Sequence, residues 1–201
     1  ILIIMLPIIV LIFVMGKDMI SFIYLHGAFD ETALTMTFSA LAFYSIGLIS
    51  HSLVRVFASA FFALKDTRTP VKISIIAVIC NIILNIILMQ FLQLRGLALA
   101  TSIAATIQAT ILFFTLEKKI GKVDFKQIAI NFLKIALISV IIGFVAYYLS
   151  QLSISVEMAG RLYLLIKIIA ILIVSLIIYI AGLKILKVES AKMLVDILKK
   201  D

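Results

Sequence analysis

One arginine, Arg55, lies within a long apolar run, where a charged side chain is a candidate functional residue. Arg55 precedes Lys65, the first residue of the next polar segment, by a distance of about 15 Å along a helix. An arginine this deep in a bilayer costs at least ~2.5 kcal/mol, so it usually faces a watery cavity or the interior of a helix bundle. A structural role, in which Arg55 bonds to carbonyl groups of neighbouring helices, is the alternative.

Other polar residues accompany Arg55 on one face of the same predicted helix. At about 100° per residue they fall within an arc about 120° wide. The arc contains Thr37, Tyr44, Ser45, His51, Ser52, Arg55 and Ser59. We predict that this stripe faces a cavity, and that the substrate-facing residues are Tyr44, His51, Ser52, Arg55 and Ser59.

A second polar group lies on the two helices that follow. Ser74, Asn81 and Asn85 share one helix face. The next helix carries Thr101, Ser102, Thr106 and Gln108. Amides and hydroxyls between packed membrane helices usually form interhelical hydrogen bonds, worth about 0.6 kcal/mol on average. The alternative is that the oxygens of these side chains bind a hard cation. The spacing leaves both interpretations open.

Several classes of function are disfavoured by the positions of the charged residues. All carboxylates lie in predicted loops, at helix ends or in the tail, whereas intramembrane proton relays place acids or histidines within spans. No nucleophile, base and orienting residue are grouped together, so we predict a protein that is not an enzyme. The net charge of +8 comes from short basic clusters between apolar runs, a pattern typical of membrane protein loops and not of nucleic-acid binding.

The composition requires lipid as the solvent for most of the chain. Of 201 residues, 65% are hydrophobic and 14% charged, compared with roughly 45–50% and about 25% in soluble domains. The apolar runs predict helices at 1–15, 31–64, 71–92, 97–116, 125–152 and 158–186, with a short interfacial helix at 19–25. We therefore predict an all-α integral membrane protein with about six transmembrane helices.

Three details of this organisation are also predicted. Helix 31–64 would be about 51 Å long, so it must tilt, bend near Gly47, or protrude from the membrane. The chain opens inside an apolar run at Ile1, so we expect a fragment whose first span is truncated. Lysines and arginines concentrate in segments 65–69, 117–124 and 188–201, which predicts that these segments and the C-terminus are cytoplasmic.

A family resemblance rests on several short segments. They are Tyr-Ser-Ile-Gly-Leu-Ile at 44–49, Leu-Val-Arg-Val at 53–56, Asp-Thr-Arg-Thr-Pro-Val-Lys at 66–72 and Gly-Leu-Ala-Leu-Ala-Thr-Ser at 96–102. Together they resemble the lipid II flippases of the MurJ/MviN family, within the multidrug/oligosaccharidyl-lipid/polysaccharide exporter superfamily. The resemblance implies an exporter-type flippase of fourteen helices, of which this chain corresponds to helices nine to fourteen.

The same resemblance implies a division into three parts. Residues 1–116 would be a partial C-terminal transport lobe, and 117–187 two additional C-terminal membrane helices. Residues 188–201 would be an amphipathic cytoplasmic tail. The missing N-terminal helices of the same chain would then be a partner of this part, together with membrane lipid.

The activity implied is the movement of lipid II from the cytoplasmic to the periplasmic face of the bacterial inner membrane by alternating access. Lipid II is undecaprenyl-pyrophosphate-linked disaccharide-pentapeptide, and Arg55 would meet its pyrophosphate. Asn81, Asn85, Thr101 and the backbone carbonyl of Leu97 match a sodium site of some family members. No other cofactor is expected.

Two other functions remain as alternatives. A flippase for a different polyprenyl-linked glycan, of the O-antigen or capsule type, would share this architecture. An intramembrane enzyme acting on lipid-linked sugars would need a carboxylate or histidine facing the cavity. The Asp66–Pro70 segment favours the lipid II flippase.

Overall fold

A computed structural model describes residues 1–24, 29–121, 125–151, 160–186 and 188. The secondary structure of this part is entirely helical: α1 (Leu2–Tyr24), α2 (Glu31–Ile46), α3 (Leu48–Ala63), α4 (Arg68–Leu92), α5 (Leu94–Ile120), α6 (Phe125–Gln151) and α7 (Gly160–Ile185). Because α2 and α3 form one span, the described residues contain 6 segments long and apolar enough to cross a membrane. The predicted all-α membrane class is confirmed.

Large apolar side chains cover the outer surface of the helices. On α4, only Pro70, Ile73 and Ala77 are buried, while isoleucines along the rest of the helix are exposed. Helices suit a lipid environment because each residue's N–H and C=O groups bond within the segment itself. The backbone therefore exposes few unpaired polar groups, except where a helix is broken.

The helices form two compact units, each with its own core. The first unit contains α3, α4, α5 and most of α2, with Phe61 and Leu112 at the centre of its core. The second contains α1, α6 and α7, packed around Met15, Ile135 and Ile142. The predicted division at residue 116 assigns α1 to the transport lobe, whereas in the structure α1 packs against α6 and α7. The division of the fourteen-helix architecture stays a prediction.

The prediction of two separate helices at 1–15 and 19–25 was wrong. One helix of 23 residues runs through Gly16 and Lys17 and is long enough to cross a membrane. The expectation that the chain is a fragment stays a prediction. Met15, Gly16 and Ile20 are buried on one side, while Lys17 is exposed. A glycine inside a helix costs about 1 kcal/mol, less than burial of the flanking apolar side chains contributes.

The second span begins and bends as its sequence indicates. The Asp30 carboxylate accepts a hydrogen bond from Ala33 N at 2.8 Å and so caps α2. At Gly47 the regular pattern breaks, because Gly47 N donates to Tyr44 O at 3.0 Å instead of to Phe43 O four residues back. A Cβ atom at position 47 would lie 2.8 Å from Ser102 Cα. Only glycine therefore allows α5 to approach the bend this closely.

A tight turn joins α4 to α5, as predicted for residues 93–96. Gln93 has a φ of 52°, in the left-handed region that favours glycine. Gly96 lies close to the backbone of α4, since a Cβ atom at position 96 would lie 2.3 Å from Leu88 O. This turn starts α5 at Leu94, three residues before the predicted boundary.

The second unit contains a proline inside a helix. Pro7 of α1 has no N–H group, so the carbonyl oxygen of Ile3 lacks its usual partner within the helix. The Tyr179 hydroxyl of α7 donates a hydrogen bond to this oxygen. The predicted amphipathic tail lies outside the described residues except for Val188, which is buried in the same core.

Candidate functional site

Arg55 lies on α3, one helical turn after His51 and one turn before Ser59. The side chains of Arg55, Ser59 and Tyr44 are exposed, and those of His51 and Ser52 are half-buried. Arg55 forms no ion pair or hydrogen bond with any residue that the structure describes. The five predicted substrate-facing residues thus lie at least partly open, on the span that contains Gly47.

Tyr44 and His51 stack across the bend at Gly47. Their ring centroids are 5.6 Å apart and the ring planes differ by 26°. The His51 Nε2 atom is buried and has no hydrogen-bond partner among the described residues. The stacked pair therefore gives His51 a fixed position one turn from the Arg55 guanidinium, with one ring nitrogen unpaired.

Ser45 does not belong to the exposed stripe. Its side chain is fully buried, and its hydroxyl donates to Ala42 O of its own helix at 2.8 Å. Ser45 lies at the edge of the predicted arc and before the break at Gly47, where an unbroken rotation of about 100° per residue no longer holds. The arc prediction was wrong at this position.

The second polar group forms a continuous chain of hydrogen bonds between α4 and α5. Asn85 Nδ2 donates to Asn81 Oδ1 at 3.0 Å, and Asn81 Nδ2 donates to Thr101 Oγ1 at 3.5 Å. The Thr101 hydroxyl donates in turn to Leu97 O at 2.9 Å. All four residues of the predicted sodium site are therefore brought together in one row.

The oxygens in this row suit a hard cation of low charge. Asn85 Oδ1 is buried and accepts no hydrogen bond from the described residues, so one amide oxygen of this half-buried residue is unpaired. The Asn81, Thr101 and Leu97 oxygens lie along the same row. All four residues are neutral, and the described residues contain no group of three His, Cys, Asp or Glu side chains that could hold a metal. A monovalent ion fits this set better than a divalent one.

Other polar contacts in the first unit act as interhelical hydrogen bonds. Gln108 Nε2 donates to Ser74 Oγ at 3.0 Å and joins α5 to α4. The hydroxyls of Ser50 and Thr106 lie 2.9 Å apart and join α3 to α5. These residues have no unpaired buried oxygen beside them, so they fit the packing interpretation.

The Asp66–Pro70 segment forms a corner that joins three helices. Lys65 N donates to Phe62 O and Asp66 N to Phe61 O, which ends α3 with Lys65 in a left-handed conformation. The Asp66 carboxylate accepts hydrogen bonds from Thr69 N at 3.0 Å and from the Thr69 hydroxyl at 2.6 Å. It also pairs with Lys119 near the end of α5.

Electrostatics at this corner favour the ionised carboxylate. The hydrogen bonds from Lys119 and from Thr69 hold the pKa of Asp66 well below its ordinary value of 3.8. The Lys119 ammonium also lies 5.5 Å from the centre of the Phe61 ring. From the sequence alone, this segment stands out only through the family resemblance. The ion pair with Lys119 was not predicted, because no sequence pattern links residues 66 and 119.

Comparisons with known proteins agree with one another. The sequence model of the family described as "Lipid II flippase MurJ" matches residues 1–168. A probable lipid II flippase MurJ of Buchnera aphidicola subsp. Schizaphis graminum is 35% identical over 141 residues, covering 70% of this chain and 27% of that protein. One of Rhizobium tropici is 33% identical, covering 73% of this chain and 27% of that protein.

A solved structure with a similar fold agrees with these sequence matches. The structure of "Lipid II flippase MurJ, inward closed conformation" superposes with a TM-score of 0.72 at 32% sequence identity, covering 92% of this chain and 37% of that one. The chain spans about a quarter of the length of the curated relatives it matches. On the family match and the shared fold, the chain belongs to the MurJ family of lipid II flippases.

Proposed function

We propose that this chain is the C-terminal part of a transporter that flips lipid II from the cytoplasmic to the periplasmic face of a bacterial inner membrane. The proposal rests on the position of Arg55, which is an exposed cation within an apolar span of a MurJ family member. In the proposal the protein is a multi-pass transporter, not an enzyme, and its C-terminus is cytoplasmic.

Arg55 would bind the pyrophosphate of lipid II. A guanidinium presents paired N–H donors that match two oxygens of a phosphate group, and bonds between charged partners are the strong ones. Tyr44, His51, Ser52 and Ser59 would line the same cavity and keep it polar. The pyrophosphate could then leave the headgroup layer without facing hydrocarbon.

Transport would require helices in addition to those of this chain. In the fourteen-helix architecture, the cavity would form between the Arg55 face and the first lobe, and alternating access would expose it to one side of the membrane at a time. Residues 1–116 would belong to the moving lobe, and 117–187 would be additional helices in contact with membrane lipid. Nucleic acid has no part in this mechanism.

A sodium ion would bind to Asn81, Asn85, Thr101 and the Leu97 carbonyl in this proposal. The unpaired buried oxygen of Asn85 favours it, because an unsatisfied buried polar atom calls for a ligand, a water or an ion. An ion there would hold the α4–α5 pair together through electrostatic bonds and so couple ion binding to the position of these helices.

Complementation tests the proposed substrate. The full-length protein is expressed in a bacterium whose own lipid II flippase is depleted, and separately in one that lacks its O-antigen flippase. Rescue of growth and of cell-wall synthesis in the first strain supports the proposal. Rescue only of O-antigen export would favour the glycan alternative, and conversion of lipid II into a new compound by the purified protein would favour the enzyme.

A further inference from the structure

Lys65 occupies a backbone position that usually belongs to glycine. It follows α3 with a φ of 57°, as the left-handed residue of a helix-ending motif. Glycine adopts this conformation without a steric penalty, whereas a residue with a Cβ atom does not. The Lys65 side chain is exposed. The backbone at this position therefore favours glycine over lysine.

Arg68 and Lys72 also occupy positions that are locally unfavourable. Arg68 lies in the first turn of α4, where the helix dipole repels cations, and that turn contains no acidic residue. Lys72 lies one turn further along. They are four residues apart on one face, so their charges repel each other. The nearby Asp66 carboxylate already binds Lys119 and Thr69. None of the three cations forms an ion pair with a described residue.

The basic residues of α5 serve as a contrast. Lys118 and Lys119 lie in the last turn of α5, where the helix dipole attracts cations. Lys119 also has the Asp66 carboxylate as its partner. Lys119 therefore has an anionic partner within the fold, whereas Lys65, Arg68 and Lys72 have none among the described residues.

The surface next to these three cations is apolar. Val71 and Ile75 follow on α4 and are 55% and 56% exposed, and by helical spacing they lie beside Arg68 and Lys72. Lys72 lies only about 6 Å along the helix from Arg68. A ligand that fits this surface has an anionic group at one end and a hydrocarbon chain at the other.

We propose that Lys65, Arg68 and Lys72 bind the phosphate group of an anionic phospholipid of the surrounding bilayer, with an acyl chain along Val71 and Ile75. Charge complementarity selects a lipid with a net negative charge, such as phosphatidylglycerol, over a zwitterionic one. The site lies at the beginning of α4 and is separate in sequence from Arg55 and from the Asn81–Thr101 row. It would stabilise the corner between α3 and α4 in a membrane rich in anionic lipid.

Thermal unfolding of the full-length protein in dodecylmaltoside, titrated with phosphatidylglycerol or with phosphatidylcholine, tests this proposal. Phosphatidylglycerol should raise Tm saturably and phosphatidylcholine should not. Since each cation near an anionic lipid contributes a factor of about five in affinity, the variant with Lys65→Gln, Arg68→Gln and Lys72→Gln should bind about a hundredfold more weakly. Arg95→Gln, at the opposite end of the α4–α5 pair, should bind like the unaltered protein.

The variant Lys65→Gly separates stability from binding. Glycine should raise Tm without added lipid, because it relieves the left-handed position, and it should still lower the affinity for phosphatidylglycerol about fivefold. Unchanged lipid affinity in the triple variant would overturn the proposal. An equal rise in Tm with inorganic phosphate alone would also overturn it, because the acyl chain would then contribute nothing.

Discussion

The Ser102 hydroxyl of α5 donates a hydrogen bond at 2.8 Å to the carbonyl oxygen of Phe43, the acceptor left without its helical partner by the bend at Gly47. Two other helices show the same relationship. Tyr179 bonds to Ile3 O beside Pro7, and Lys167 Nζ bonds to Ser150 O at the end of α6. Lipid offers no donor to such carbonyls, so a side chain from a neighbouring helix supplies one.

Ser102→Ala should destabilise the first unit by about 1–3 kcal/mol, because it leaves the half-buried Phe43 carbonyl without its donor. Thr110→Ala is the matched control on the same helix. The Thr110 hydroxyl is exposed, and among the described residues it donates within α5 alone, to Thr106 O. Denaturant titration of the purified protein should show a clear loss for Ser102→Ala and almost none for Thr110→Ala. Equal losses would contradict the role assigned to Ser102.

Tyr179→Phe should cost a similar amount, about 1–3 kcal/mol, since it removes the donor to Ile3 O without a large change in volume. Pro7→Ala restores an N–H group that can bond to the same oxygen, so it should recover part of the loss in a double variant. Tyr148→Phe, at an exposed position on α6, is the control. A double variant no more stable than Tyr179→Phe alone would show that the Ile3 carbonyl is not the limiting group.

Stability should depend on pH through Asp66. Its pKa is lowered in the folded protein, so the contribution of the carboxylate is complete above the ordinary pKa of 3.8 and is lost as pH falls below that value. Asp66→Asn should therefore lower Tm at pH 7, and its difference from the unaltered protein should shrink below about pH 4. Lys119→Gln should show the same direction, and Lys118→Gln should have little effect. A constant difference across pH would refute this assignment.

Sodium dependence should distinguish an ion site from interhelical packing. Asn81→Ala removes an oxygen from the row next to Asn85, whereas Gln108→Ala removes a different α4–α5 hydrogen bond. Sodium chloride should stabilise the unaltered protein more than potassium chloride of equal ionic strength, and only Asn81→Ala should abolish this excess. If both variants keep the same sodium response, the Asn81–Thr101 row is packing alone.

The fold could be predicted from the sequence because it depends on the lengths of apolar runs and on local signals. Asp30 marks the start of α2, and Gly47 lies where the second span bends. The single long α1 could not be predicted, because Gly16 and Lys17 resemble the end of a helix. The helix continues through them because the flanking Met15 and Ile20 are buried, and this burial depends on packing against other helices.

The polar contacts could be predicted where both partners lie on one helix, but not where they lie on different helices. Helical spacing places Asn81 and Asn85 on one face of α4, so their contact follows from the sequence. The partners of Ser102, Tyr179 and Lys119 lie 59, 176 and 53 residues away in the chain. Which carbonyl or carboxylate they meet depends on how the helices pack, and no local pattern contains that information.

In the proposed mechanism, Arg55 binds the pyrophosphate of lipid II during transport. The rate of lipid II translocation by the full-length protein in reconstituted vesicles tests this role most directly. Arg55→Ala should reduce the rate at least about tenfold, because a hydrogen bond to a charged group is worth about 1.5–3 kcal/mol. Arg55→Lys should retain part of the activity, and Arg95→Ala should retain all of it. Translocation at the unaltered rate by Arg55→Ala would contradict the claim.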